Sequence, residues 1–291
     1  MKFVADLHLH SKYSRAVSQN MLLPNIAQWG KMKGINVLAT GDFTHPFWFE
    51  QLKNELEEAE NGLFQLKKSL LSSRAPGPVG SGFIDTKSDP VYFMLSCEIA
   101  SIYSQGGKTR RIHTLFFFSK LENVEKFNKE LAKRGASLRS DGRPIVGLSS
   151  RDLATIAFAC AEKALVIPAH VWTRWFSLYG SFSGFDSISE CFGDISSRIY
   201  GVESGLSSDP AMNWQVGDLD NRTILSFSDA HSLEKMGRET TVFEAENISY
   251  KSIYDAIVGN LGAKVAFTIE FYPEEGKYHF TGHRDCNYSQ P

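Results

Sequence analysis

Short apolar runs alternate with charged amphipathic stretches along most of the 291 residues, and this pattern restricts the fold more than any other feature of the chain. Phe3–Leu9, Val37–Thr40, Tyr92–Cys97, Thr114–Phe118, Leu165–Ala169, Tyr200–Val202 and Thr223–Phe227 read as buried strands. Helical patterns lie between several of them. These are Leu23–Lys33 with Pro24 near its start, Phe49–Leu71, Asn123–Arg134, Arg151–Lys163 behind Ser149 and Ser150 as N-caps, and Tyr250–Leu261. The alternation predicts an α/β fold with a mostly parallel sheet, open or closed into a barrel. Two stretches break the pattern. Ser72–Pro90 is rich in Ser, Gly and Pro and reads as a surface loop. Lys264–Tyr272 and Lys277–Thr281, joined by Pro273-Glu274-Glu275-Gly276, read as a C-terminal hairpin.

Composition narrows the class of protein. Hydrophobic residues at 42% and charged residues at 22% are globular proportions. No run approaches the roughly 18 apolar residues of a spanning helix, and Asp6 comes too early for a signal peptide. Cys97, Cys160, Cys191 and Cys286 form no CxxC, so reduced thiols in a cytoplasmic protein are the expectation. The net charge of −2 gives no global basic field, so nucleic-acid binding would need a local basic groove. Gly106-Gly107-Lys108-Thr109 looks like the end of a P-loop, but Ile102 stands where its first glycine belongs and a strand follows. No ATP-binding core is expected, and no membrane association.

The histidines are placed unlike surface histidines. His8 and His10 flank Leu9, so on a strand both rings project from one face. Asp42 and His45 follow one predicted strand, Glu98 follows another, His113 opens a third, and His170 follows a fourth. Asp229 and His231 follow Thr223–Phe227, again one residue apart. In parallel α/β folds that strand edge carries the active site. Each piece alone has an ordinary reading: a hydrogen-bonded core histidine for His113, a loop side chain for His170, a helix cap for Asp229-Ala230-His231. Together, six of the eight histidines and three carboxylates at matching places would be costly to bury without cations. Imidazole with carboxylate suits Zn²⁺, Mn²⁺ or Fe, and Mg²⁺ where oxygen dominates. A carboxylate bridging two ions would suit phosphate chemistry.

In order, these motifs resemble those of the PHP (polymerase and histidinol phosphatase) superfamily. The residues carrying the resemblance are Asp-Leu-His-Leu-His-Ser at 6–11, Thr-Gly-Asp-Phe-Thr-His-Pro at 40–46, Ser-Cys-Glu at 96–98, His113, Pro-Ala-His at 168–170 and Ser-Asp-Ala-His at 228–231. The resemblance implies a distorted seven-stranded (β/α) barrel over residues 1–262 with two or three divalent metal ions. His8, His10, Glu98 and Asp229 would hold one ion. Glu98 would bridge to a second held by His113 and His170, and His45 and His231 would contribute to a third. Glu98, Asp229 and His231 are the implied catalytic residues. One departure stands out: where the family often has an acid or histidine after the HxH pair, this chain has Arg15. Either Asp42 then substitutes as a ligand or the third site is weak, and Arg15 is either a contact to substrate phosphate or a solvated loop arginine.

Further runs narrow the branch. Val202-Glu203-Ser204-Gly205-Leu206-Ser207-Ser208-Asp209-Pro210, Met212-Asn213-Trp214, Gly237-Arg238-Glu239 and Gly282-His283-Arg284-Asp285-Cys286 resemble the endonuclease Q family. This implies nicking of DNA on the 5′ side of deaminated bases such as uracil and hypoxanthine, in DNA repair. Longer relatives continue into a cysteine-type zinc module, so residues 263–291 read as a hairpin and a remnant of that module, with Cys286 and His283 as the candidate ligands left from it. Trp172, Arg174 and Trp175, in the aromatic run after His170, are expected either to meet a flipped base and its phosphate or to cap the barrel. Arg238 is a further expected substrate contact. Lys108, Arg110 and Arg111 are candidate backbone contacts, with a solvated face as the alternative. The competing functions are a PHP phosphomonoesterase acting on a small metabolite and a non-catalytic DNA-binding module.

Overall fold

The apolar runs pair into one large mixed sheet. The computed structural model describes residues 1–59, 61–71, 90–276, 281–282 and 288–290. Its strands in chain order are β1 (Lys2–Asp6), β2 (Val37–Ala39), β3 (Leu56–Glu58), β4 (Phe64–Leu66), β5 (Tyr92–Gln105), β6 (Lys108–Phe118), β7 (Ile145–Val146), β8 (Leu165–Pro168), β9 (Gly201–Glu203), β10 (Thr223–Leu225), β11 (Thr240–Ala245), β12 (Ala263–Ile269), β13 (Thr281–Gly282) and β14 (Ser289–Gln290). The helices are α1 (Leu23–Met32), α2 (Pro46–Glu55), α3 (Lys68–Leu71), α4 (Leu121–Lys133), α5 (Ser150–Cys160), α6 (Ile188–Phe192), α7 (Pro210–Asn213) and α8 (Tyr250–Val258). Among the described residues no helix is long and apolar enough to cross a membrane.

Local chemistry accounts for the main elements. Proline sits in the first turn of α1 and of α2, where its missing N–H costs nothing. Ser149 caps α5 by accepting the N–H of Asp152, as its place ahead of an apolar period predicts. Val124, Phe127 and Leu131 form the buried stripe of α4 and pack into the main core, which Leu38, Phe93, Phe116 and Leu153 share. A second core joins Phe3 and Ala5 of β1, Phe117 of β6, Ile167 of β8, Leu225 of β10 and Phe243 of β11 to the Ile253 face of α8.

The fold is α/β, but the expected mostly parallel sheet is replaced by a mixed one. β1–β2 and β2–β5 are parallel, whereas β1–β11, β11–β12, β3–β4, β4–β5, β5–β6 and β6–β8 are antiparallel. The cause at β5–β6 is local. Gly106 and Gly107 take φ of 61° and 73°, which permits a two-residue hairpin, so no crossover helix is needed. The stretch that resembled a P-loop is this turn. Similarly, the expected long helix over Phe49–Leu71 ends at Glu55. The chain turns back through Asn61-Gly62, with Gly62 at φ 72°, to pair β3 with β4.

Towards the C-terminus β12 pairs antiparallel with β11, and most of the strand expected to pair with it in a hairpin lies outside the described residues. Thr281–Gly282 pairs instead with Ser289–Gln290. Residues 72–89 and 277–280, and His283 and Cys286, lie outside the described residues. Among the described residues the hydrogen-bonded ladder does not close: β9 and β10 form a separate two-stranded parallel sheet.

Two buried carboxyl groups tie this arrangement together. Asp6 accepts the N–H groups of Ser228 (3.0 Å) and Gly237 (2.8 Å), which fixes the turn after β10 against β1. Glu239 is 1% exposed, and Ser226 donates to its Oε2 at 2.8 Å. Burial, with nearby Glu270 and Glu203, pushes the Glu239 carboxyl up to about 9, so it is protonated at neutral pH. A raised folded pKa gives stability that is complete below the ordinary value of 4.5 and is lost as pH rises towards 9. Glu239→Gln should therefore stabilise the protein at pH 7 by roughly 3 kcal/mol, at about 1.4 kcal/mol per pKa unit, and change little near pH 4.5. Thermal melts across that range check this; an effect equal at both ends would contradict it.

Candidate metal centre

Strand register brings the ionisable side chains together. Beyond β1 the chain stays extended, and Leu9 forms a parallel bridge to Ala230. Leu7 and Leu9 are buried, and so are His8 and His10 on the alternate positions. On the β5–β6 hairpin Glu98 opposes Leu115 and Ala100 opposes His113. Glu98 and His113 are thus diagonal neighbours on one face. Asp42, His170 and Asp229 each take a positive φ (50°, 30° and 46°), an uncommon conformation for non-glycine residues, in the turns after β2, β8 and β10.

Three groups of ligand atoms result, each within 4.8 Å of one another: His8, His10 and Glu98; His10, Asp229 and His231; and Glu98, His113 and His170. Glu98 divides its two oxygens between histidine pairs. Its Oε2 lies 3.6 Å from His8 Nε2 and 3.3 Å from His10 Nε2. Its Oε1 lies 2.8 Å from His113 Nδ1 and 3.2 Å from His170 Nε2. Asp229 Oδ1 completes the first set at 3.5 Å from His8 Nε2 and 3.3 Å from His10 Nε2.

The far sides of the first two rings are held by acids. Glu203 lies 2.9 and 3.0 Å from His8 Nδ1, and Asp42 Oδ1 lies 3.1 Å from His10 Nδ1. A carboxylate at Nδ1 keeps the proton there and leaves a lone pair on Nε2. His8 Nε2, His10 Nε2 and Asp229 Oδ1 are buried without a hydrogen-bond partner. Lone pairs therefore converge on lone pairs, an arrangement that a cation satisfies and that is otherwise costly.

The electrostatics express the same demand for positive charge. Burial opposes charge on His8, yet Glu203, Asp229 and Glu98 outweigh it and hold its pKa well above the usual histidine range, so without a cation a proton on Nε2 would meet that demand. Burial likewise opposes ionisation of Glu98, but His113, Arg143, His8 and His10 hold it well below the usual carboxylate range. Burial pushes His113 down to about 4 against the pull of Glu98, leaving a neutral imidazole at pH 7. The donor set fits divalent ions with nitrogen and oxygen preference.

Other expected residues lie elsewhere. Asp42 is fully engaged: besides His10, its Oδ2 accepts Ser11 N–H (2.6 Å), Ser11 Oγ (2.6 Å) and Ser14 Oγ (2.9 Å). The His45 ring stacks on Tyr13 at 4.4 Å and is outside the three groups. Arg15 is exposed, and its backbone N–H donates to Asp141 Oδ1. Arg238 donates through Nε to Ser228 O (2.7 Å) and through Nη2 to Asp229 O (3.4 Å), so it braces the turn bearing Asp229. Trp172 stacks on Tyr179 at 4.6 Å and donates to Asn213 Oδ1 at 2.8 Å.

Trp175 is 41% exposed, stacks on Phe182 at 4.4 Å, and has Arg111 over its ring; Arg174 lies over Phe182. This loop is anchored at the centre by Phe176, whose ring lies 4.6 Å from His113 and whose carbonyl accepts the His113 N–H. Sequence reasoning passed over Glu203 and Arg143. Glu203 had a signal, its place at the end of a predicted strand like the other acids. Arg143, in the turn-like Ser140-Asp141-Gly142-Arg143-Pro144, had none.

Comparison with known proteins agrees with this picture. No family model matches the chain. A lesion-specific endonuclease from Pyrococcus furiosus, PfuEndoQ, superposes with a TM-score of 0.80 at 30% identity, over 100% of this chain and 64% of that one. An endonuclease Q bound to a 27-mer duplex with an abasic lesion at the active site gives 0.80 at 32%, over 100% and 65%. The chain is similar to endonuclease Q over its whole length. The resemblance read from its motifs is thereby borne out. The uncharacterized protein YqxK of Bacillus subtilis is 28% identical over 98% of this chain and 69% of its own length. The chain thus spans just under two thirds of the solved endonuclease Q chains.

The stack and hydrogen bond of Trp172 make it a structural residue. Trp172→Ala should lower stability by about 2–4 kcal/mol, whereas Trp175→Ala, at an exposed site, should cost under about 1 kcal/mol. Chemical denaturation of both variants checks the contrast.

Proposed function

We propose that this chain is a metal-dependent phosphodiesterase that nicks DNA on the 5′ side of deaminated bases. The observation that carries the reading is the Glu98 carboxylate set between two histidine pairs, with the unpartnered Nε2 atoms of His8 and His10 aimed at the same space. His8, His10, Glu98 and Asp229 are the residues to hold one divalent ion, and Glu98, His113 and His170 a second. Ions so held supply Lewis-acid polarisation of a phosphoryl oxygen and a nucleophile at neutral pH. Glu203 and Asp42 keep the His8 and His10 rings in the ligating tautomer and orientation. Asp6 and Arg238 hold the turn that carries Asp229.

DNA as the substrate is supported by the likeness to an endonuclease Q solved with a lesion-containing duplex. It is also supported by the guanidinium-flanked aromatic pair beside His113. Arg111 and Arg174 lie over the rings of Trp175 and Phe182 and present their charge at the surface. That arrangement fits contacts to backbone phosphates, since the guanidinium groups sit on the rings with the charge at the surface. The finer fold reading is a distorted seven-stranded barrel over residues 1–262. Supporting it, Val171 donates to Glu203 O between the ends of β8 and β9, and Leu9 bridges Ala230. Residues 263–291 then form a C-terminal addition.

The test is incubation with duplexes containing uracil or hypoxanthine under Mg²⁺, Mn²⁺ or Zn²⁺, with the nick mapped. A nick 5′ of the lesion is expected, and Glu98→Gln should cut activity by a factor of about 10³ or more while releasing metal, as weakening two ions at once requires. Turnover of a small phosphomonoester with no action on lesion duplexes would replace this reading with the phosphomonoesterase one.

A further inference from the structure

Arg143 reaches the centre from a segment fastened on both sides. Its Nη1 donates to Glu98 Oε2 at 3.0 Å, the oxygen that also faces His8 and His10. Gly142 N–H donates to Tyr13 O (3.0 Å), Thr44 Oγ1 donates to Gly142 O (3.2 Å), and Ala100 N–H donates to Pro144 O (3.0 Å). The next residues, Ile145–Val146, pair with β5. A Cβ on Gly142 would lie 2.4 Å from Asp42 Oδ2 and 2.4 Å from Ser14 Oγ, so glycine is what lets this segment close on the centre. The Arg143 side chain nevertheless stays 26% exposed, so part of its fork is open to solvent.

Among the described residues, the group of His10, Asp229 and His231 adds only His231 to the ligands of the first set. Asp42 is engaged with His10 and two serines, His45 is stacked on Tyr13, and Arg15 is exposed. The Nη1 of Arg143, 3.0 Å from Glu98 Oε2, sets a fixed positive charge beside the carboxylate that two of the three groups share. A guanidinium binds phosphate oxygens in a fork and stays charged at any working pH.

We propose that Arg143 binds the scissile phosphate and supplies the positive charge that a third cation would otherwise bring. This rests on the phosphodiesterase reading above. One guanidinium nitrogen is held by Glu98, and the remaining N–H groups are left for the oxygens of a phosphodiester.

The experiment compares the wild-type chain with Arg143→Gln and Arg143→Lys after loading with Mn²⁺ and desalting. It measures metal per chain, affinity for inorganic phosphate by calorimetry, and hydrolysis of bis(4-nitrophenyl) phosphate. Metal content should be the same in all three, with no third ion in the wild type. Arg143→Gln should weaken phosphate binding by about ten-fold or more and lower kcat by about 10²–10³. Arg143→Lys should recover part of the affinity, since it keeps charge without the fork. Unchanged phosphate affinity in Arg143→Gln, or a third bound ion in the wild type, overturns the proposal. Loss of metal together with activity also overturns it and makes Arg143 a positioning residue for Glu98. If phosphate binding depends on Arg143 but no diester or lesion duplex is cleaved, the phosphodiesterase reading fails while the phosphate contact stands.

Discussion

A single buried carboxylate, Glu98, sets the terms for the rest of the molecule. Its two oxygens diverge, one towards His8 and His10 and the other towards His113 and His170. A carboxylate buried this deeply is tolerable only among positive or proton-donating partners. The fold brings four imidazoles and a guanidinium to meet it. The long hairpin of β5 and β6, set by the Gly106-Gly107 turn, makes part of that meeting possible. The diagonal register of that hairpin puts Glu98 and His113 on one face. β8 then pairs with β6, and the turn after it delivers His170 to the same oxygen.

The supporting shell is as specific as the centre. Glu203 binds His8 through its side chain and also accepts the backbone N–H of His170 at 2.8 Å, so one acid orients a member of each histidine pair. Asp42 does comparable work for His10 with help from Ser11 and Ser14. Asp42, His170 and Asp229 hold positive φ in their turns, and strained backbone of this kind persists where surrounding contacts over-determine it. Here those contacts are the hydrogen bonds of the shell itself. A site held in this way changes little in shape when charge develops in it, which is what electrostatic stabilisation of a transition state requires.

Charge is distributed by place rather than by total. The chain as a whole is slightly acidic at −2. Around the centre, however, Arg143, Arg111 and Arg174 stand near the histidines or on the loop that Phe176 anchors there. Local fields of this sort attract a polyanion without a basic surface overall. The cation–π contacts also limit the freedom of the two outer arginines, which would lower the entropy lost in the phosphate contacts proposed for them.

The sequence by itself determined the class of chemistry and the strand ends that carry it. Alternation put His8 and His10 on one face, and the placement of Glu98, His170, Asp229 and His231 after apolar runs marked one edge of an α/β sheet. Strand order was not legible: periodicity reports which face of a segment is buried, not which segment lies beside it. A mostly parallel sheet therefore read as well as the mixed one, and the long helix over Phe49–Leu71 read as well as α2 followed by the β3–β4 pair. Partners far apart in the chain were out of reach for the same reason. Glu203 lies 195 positions from His8, and Arg143 lies 45 from Glu98. Only tertiary structure decided that Asp42 serves His10, that His45 packs on Tyr13, and that Arg143 rather than Arg15 enters the centre. Each depends on which surfaces meet when the strands close up, and hydrogen bonds across that closure leave no local period in the chain.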